Sequence, residues 1–393
     1  MENNYRYLIY LVACALQETQ PEEALPEGTD LDRLLLLAKY HCVTAMACMA
    51  LEKTAAFAAA PAETQKAWLE GKNRALRKSV LQDAERTKML KALDDAGIWH
   101  VLLKGGILKD WYPKPGMREM ADCDILIDPE KRDQVQQLFL DHGFRPLKGG
   151  GPVHDVYQKP PVYDFEMHRA LLPDSMGRAQ ALFRDIQQRL QPVEGTACRL
   201  QFSAEDLYVY LLAHAYKHFQ KGGTGLRTLT DLYIARRHLD SVADWDRIRE
   251  NLEKADMGAY EETSVALAQK LFDTPRLPED LTAEEERLLK RYVSSGTYGT
   301  KKNEVWNQME RMAPEEAQNV GGLKLRYCLS RIFLSRDACR EYYTFVYDHP
   351  WVLPFFWIWR LFYKAFTNGK GIRGEWSAVK NYVPGEEREK TQK

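Results

Sequence analysis

Hydrophobic positions along the 393-residue chain change their period twice. Up to Ala96 they recur every three or four residues (Leu8, Leu11, Val12, Leu16; Leu34 to Leu37; Leu81, Met89, Leu90, Leu93), which predicts helices with a break around Ala55 to Pro61. Between Ile98 and Leu172 short β-branched or aromatic runs take over: WHVLL at 99–103, CDILI at 123–127, FRPL at 144–147, DVYQK at 155–159 and VYDFEMH at 162–168. A helical stretch from Pro129 to His142 separates the second run from the third, and Gly143 stands where such a helix would stop. The helical period then returns. Ser203-Ala204-Glu205-Asp206 has the form of a capping box opening LYVYLLAHAYKHF, and helical patterns continue to about Asn368.

This organisation predicts an α+β protein. A small α/β core at 97–172 with a mixed sheet is flanked by helical regions at 1–96 and 173–368, and a tail at 369–393 ends in the charged run EEREKTQK, expected to be disordered. No repeat at a fixed period is visible.

The stretch MADCDILID, Met120 to Asp128, breaks the apolar rule for a buried strand with Asp122 and Asp124. Side chains alternate along a strand, so Asp122, Asp124, Leu126 and Asp128 share one face while Cys123, Ile125 and Ile127 share the other. Two carboxylates so placed repel, and burial forces a proton onto one unless a positive charge sits between them. A divalent metal meets that need. Magnesium takes one or two carboxylates together with phosphate oxygens and water. Upstream, HVLLKGGILKDWY reads as a strand running through Lys104-Gly105-Gly106 into a helix, a form that brings backbone N–H groups close to phosphate. It is equally the form of an ordinary tight turn. Downstream, Tyr163, Phe165 and Met167 make one face of a strand and Asp164, Glu166 and His168 the other, as in any half-buried strand.

Composition adds little. The formal net charge is −1, which announces neither a nucleic-acid nor a membrane partner. Seven scattered cysteines, with no CxxC spacing, suit reduced thiols in a cytoplasmic protein. MENNYRYLIYLVACAL does not read as a signal peptide, and no apolar stretch approaches bilayer length.

Taken in order, Lys104-Gly105-Gly106, Arg118 and ADCDILI resemble the glycine-pair and DxD signature of the polymerase-β-like nucleotidyltransferase superfamily. LLKGGILKDWYPKPGMREMADCDILID is most similar to its bacterial uncharacterised nucleotidyltransferase family, in which a strand with an acidic residue two before a histidine follows; Glu166 and His168 match. LLAHAYKHF, LRTLTDL with Arg227 and Asp231, and HPWVLPFFWIWR extend the resemblance over most of 85–366. Cys123 departs from the branched aliphatic usual between the aspartates.

The resemblance implies a polymerase-β-like core that uses a nucleoside triphosphate and magnesium, or manganese, and releases pyrophosphate. It implies metal ligation by Asp122, Asp124 and Glu166, with Glu166 the third carboxylate, phosphate contacts at Gly105 and Gly106, and an auxiliary charge at Lys104 or Arg118. The acceptor is open, a small molecule or protein being weighted above RNA. An idle nucleotide- or partner-binding module in an assembly or defence system is the alternative. His214 and His218 lie one helical turn apart but lack the glutamate of HExxH, so a packing or acceptor-site role is expected. The aromatic stretch from His349 to Phe366 is expected to be core or a protein contact in preference to a membrane-surface helix.

Overall fold

The computed structural model describes residues 2–147, 151, 153–313, 320–339, 343–367 and 369–383. The charged end of the tail lies outside them. Contacts divide the chain into two units, one of residues 1–216 with 226–293 and the other of residues 217–225 with 294–393.

In the first unit every run of β-forming residues named above becomes a strand: β1 (His100–Leu102), β2 (Cys123–Ile127), β3 (Arg145–Pro146), β4 (His154–Lys159) and β5 (Tyr163–His168). Two further strands, β6 (Gln191–Pro192) and β7 (Arg199–Gln201), complete a seven-stranded sheet of order β3-β4-β5-β2-β1-β7-β6. They are too short to carry a readable period: β7 is defined by its parallel pairing with β1, and β6 by its antiparallel pairing with β7. The sheet is mixed: β2 runs parallel to β5 and antiparallel to β1. The β2–β5 register sets Cys123 against Phe165 and Asp124 against Glu166.

Helices α1 (Asn3–Leu16), α2 (Leu31–Tyr40), α3 (Thr44–Leu51) and α4 (Ala62–Asp95) precede the sheet. A four-residue helix, α5 (Gly105–Leu108), follows β1, and α6 (Arg132–Asp141) lies between β2 and β3. Gly143 ends that crossover with a φ of +81°, a value that costs an L side chain. The alternation read from the sequence is realised in the core, where Cys123, Ile125 and Ile127 pack with Phe165 and Met167 against Met89, Leu90 and Leu93 of α4 and Val135 and Phe139 of α6. Their opposite faces are left to carry chemistry.

The capping residue Ser203 accepts the Asp206 N–H at 3.2 Å and opens α7 (Ala204–Lys221), which begins in the first unit and ends in the second. The first unit continues through α8 (Leu226–Leu239) and α9 (Gly258–Phe272).

In the second unit are α10 (Lys301–Met312), α11 (Val320–Ile332), α12 (Leu353–Thr367) and α13 (Gly369–Lys380). The last lies within the stretch read as tail. Its three glycines hide a helix whose Ala378 and Val379 pack with Val305, Trp306 and Met309 of α10. The aromatic stretch is not core: Phe356 is buried against Cys339 and Val346, but Phe355, Trp359, Phe362, Tyr363 and Phe366 are exposed. Among the described residues no helix is long and apolar enough to cross a membrane.

Candidate active site

The site is built where β1 ends. Leu103 N–H bonds to Asp124 O at 3.0 Å, extending the β1–β2 pairing, and the chain then turns sharply at Lys104, whose φ is +42°. That turn places the Lys104 Nζ 2.6 Å from Asp124 Oδ1. The helix that follows is short, and the N–H groups of Gly106 and Ile107 are used within the turn, on Leu103 O and Lys104 O. Gly105 has a steric reason: a Cβ there would land on Arg118 Nη1 and 2.8 Å from Met120 Cε. At Gly106 a Cβ would meet only the Leu102 side chain, at 3.4 Å from Cδ2.

Asp122 immediately precedes β2, Asp124 lies within it, and Glu166 stands level with Asp124 on β5. The three sequence-predicted carboxylates therefore meet on one face. Burial pushes the Asp122 carboxyl up to about 6, reinforced by the negative charges of Asp124 and Glu166 and opposed by Lys104 and Arg227. Burial also opposes charge on Asp124, but the Lys104 ammonium and a 2.8 Å hydrogen bond with His168 Nε2 outweigh it and hold that carboxyl well below the usual range. One aspartate is thus neutralised by a lysine while its neighbour is disfavoured by burial first and by repulsion second. His168, 3 % exposed, also lies 3.5 Å from Glu166, and His154 Nε2 approaches the same Glu166 oxygen at 3.6 Å. Tyr210 of α7 is fully buried beside this group; burial raises its phenol, and Asp124 and Glu166 add to the rise against Lys104.

Arg118, expected near a triphosphate, is committed elsewhere. Its Nε and Nη2 bind the two oxygens of Asp231 on α8 at 2.7 and 2.8 Å, and Tyr112 Oη donates to the same carboxylate at 2.7 Å. Burial disfavours the Arg118 charge, but Asp231 more than compensates and raises its pKa. The neighbouring residues are tied just as closely. Glu119 accepts the Ala45 N–H at the start of α3, Arg227 of α8 donates to Glu119 O at 3.1 Å, and Lys78 of α4 donates to Ala121 O at 2.9 Å. Three helices thereby fix the segment that delivers Asp122. Sequence reading missed Glu119, Lys78 and His154. Helical spacing says nothing of a lysine's target, and the period of two that puts His154 on the face of Val156 and Gln158, opposite that of Asp155 and Tyr157, was the available signal for its face.

A family model described as uncharacterised nucleotidyltransferase matches residues 27–273, more than half of the chain. The chain belongs to this family. The match spans the whole sheet, the loop carrying Arg118 and the helix carrying Arg227 and Asp231. No curated protein and no solved structure matches the chain.

The donor set fits the divalent cations such enzymes use. Three carboxylates converge, one with its pKa raised by burial and by its acidic neighbours, and an ammonium rests on another where a cation would bind.

Proposed function

We propose that the protein transfers a nucleoside monophosphate from a nucleoside triphosphate to an acceptor group, with release of pyrophosphate. The observation that carries this reading is the convergence of Asp122, Asp124 and Glu166 beside Lys104, with the Asp122 carboxyl pushed up to about 6. Asp122 and Asp124 would hold magnesium or manganese, with Glu166 as the third carboxylate. Bound divalent cations stabilise charge on the attacking and leaving oxygens of an in-line displacement. Glu166, at the edge of the group and about a quarter exposed at its side chain, accepts the proton of the acceptor hydroxyl. Lys104 exchanges Asp124 for the triphosphate when the aspartate gains another positive partner. The Gly105-Gly106 turn brings backbone to the phosphates, and Arg118 positions that turn from behind while its charge stays on Asp231.

A small-molecule or protein hydroxyl is favoured as acceptor over an RNA end, because a net charge of −1 supplies no bulk attraction for nucleic acid. The second reading, an idle binding module, is favoured by one feature: the Lys104–Asp124 pair already satisfies the aspartate. Incubating the chain with each of the four ribonucleoside triphosphates, magnesium and cell extract separates the two. Labelled nucleotide transferred to an acceptor, with stoichiometric pyrophosphate, supports transfer; nucleotide binding with neither product supports the idle module.

A further inference from the structure

The sheet carries a second constellation next to the aspartate pair. His154 on β4 and His168 on β5 are directly opposed in the antiparallel register, and Glu166 lies two residues before His168 on the same face. Their ligand atoms all fall within 4.8 Å of one another. His154 Nε2 and His168 Nε2 lie 3.6 and 3.5 Å from the same oxygen, Glu166 Oε2. The imidazole rings are 4.9 Å apart and tilted by 35°. We propose that His154, Glu166 and His168 form a binding site for a first-row transition-metal dication of the zinc class, distinct in chemistry from the oxygen-only aspartate pair.

Donor separation, donor type and the strand ladder all favour such a cation. With metal–ligand bonds of about 2.0–2.1 Å, tetrahedral donors lie roughly 3.3 Å apart, so the two imidazole–carboxylate separations of 3.6 and 3.5 Å need to close by only a few tenths of an ångström, and the ligand atoms of the two imidazoles lie within 4.8 Å of each other. The donor types then choose the ion: two imidazoles and a carboxylate suit zinc, iron, cobalt or nickel, whereas magnesium selects oxygen and gives up its water reluctantly. The site is also held by a strand ladder, since opposed residues of an antiparallel pair keep their Cβ atoms about 5 Å apart. Three protein donors leave a coordination position open, the pattern of a site that meets a substrate or water. Asp124 Oδ1, 2.8 Å from His168 Nε2, and the Lys104 ammonium on that same oxygen border the group on the β2 side, so ligation by His168 Nε2 releases its proton to solvent and gives up the bond to Asp124, which keeps Lys104.

The inference rests on the proposed nucleotidyl transfer only in that Glu166 is shared, and binding is measured without nucleotide. The full-length chain, stripped with a chelator and kept in millimolar magnesium, is titrated with Zn2+ against a chromophoric competitor and with Co2+ by visible absorption. The expected result is one equivalent bound per chain. His154→Ala and Glu166→Gln should each weaken Zn2+ about tenfold or more, with the thermal unfolding of His154→Ala unchanged. Asp122→Asn should keep Zn2+ affinity while losing pyrophosphate release. The assignment is overturned if wild-type protein takes up no stoichiometric Zn2+ in excess magnesium. It is equally overturned if His154→Ala and Glu166→Gln bind like wild type, or if the cobalt spectrum carries the intense band of cysteine thiolate ligation. Pyrophosphate release that survives Asp122→Asn would instead defeat the nucleotidyl-transfer reading and leave the zinc result standing.

Discussion

Asp122 and Asp124 show how one face of one strand divides its electrostatic work. Asp124 has Lys104 and His168; Asp122 has only more distant cations and a raised pKa of about 6, against an ordinary value of 3.8. A raised folded-state pKa means the folded chain keeps a proton that the unfolded chain has already lost. Stability therefore falls as pH rises from about 4 to about 6 and the penalty is complete above that. Asp122→Asn removes the penalty. At one unit to roughly 1.4 kcal/mol, the cation-free variant should gain up to about 3 kcal/mol over wild type at pH 8 and nothing at pH 3.5; urea unfolding at the two pH values in chelator measures it. At Glu166 the register makes a sharper distinction. It stands against Asp124 of β2, whereas Asp164, paired with Gln158 of β4 as Glu166 is with Val156, lies before the β2–β5 pairing begins at Phe165. Glu166→Gln should abolish single-turnover transfer with nucleotide binding largely retained, and Asp164→Asn should keep most of the rate. These faces were legible in the sequence because a strand's period of two admits no other arrangement. His154 was not legible, since which donor of β4 meets β5 depends on a register that no local pattern records.

At the scale of elements, the turn after β1 depends on a clamp more than a hundred residues away in sequence. Arg118 is buried, and Asp231 on α8 meets it with two hydrogen bonds while also accepting from Tyr112. Asp231→Asn leaves a buried guanidinium without its counter-charge, a change that costs about 3 kcal/mol, and should lower transfer as the segment before Asp122 loosens. A denaturation curve and a rate on the same preparation check both parts. The two glycines of the turn should separate as well. Gly105→Ala drives a methyl into Arg118 and Met120 and should destabilise by about 2 kcal/mol, whereas Gly106→Ala meets only Leu102 and should stay within about 0.5 kcal/mol of wild type. The glycine pair was visible in the sequence, but the reason for the first glycine was not: it is the approach of a side chain from the far side of a loop. The expected N-terminal helix site likewise shrank to a four-residue turn whose N–H groups are partly spent, because KGGIL has too few apolar positions to sustain a longer helix before Pro113.

At the scale of the whole molecule, the family match ends at residue 273, within the first unit, and the described residues from Ser294 onward include two hydrophobic clusters of their own. The stretch 349–366 illustrates why composition misled: aromatic density predicts burial on average, but α12 turns Leu353, Phe356, Trp357 and Arg360 inward and leaves Phe355, Trp359, Phe362, Tyr363 and Phe366 exposed. Phe356→Ala should cost about 3 kcal/mol and Phe362→Ala less than about 0.5 kcal/mol, read by the unfolding of the second unit. Neither substitution should alter transfer if the chemistry belongs to the sheet. The measurement that bears most directly on that chemistry is pyrophosphate release by the Asp122→Asn/Asp124→Asn double variant, with magnesium and each nucleoside triphosphate, beside wild type. The account predicts metal-dependent release by wild type and none above background by the folded double variant. Release by the double variant at the wild-type rate would contradict it.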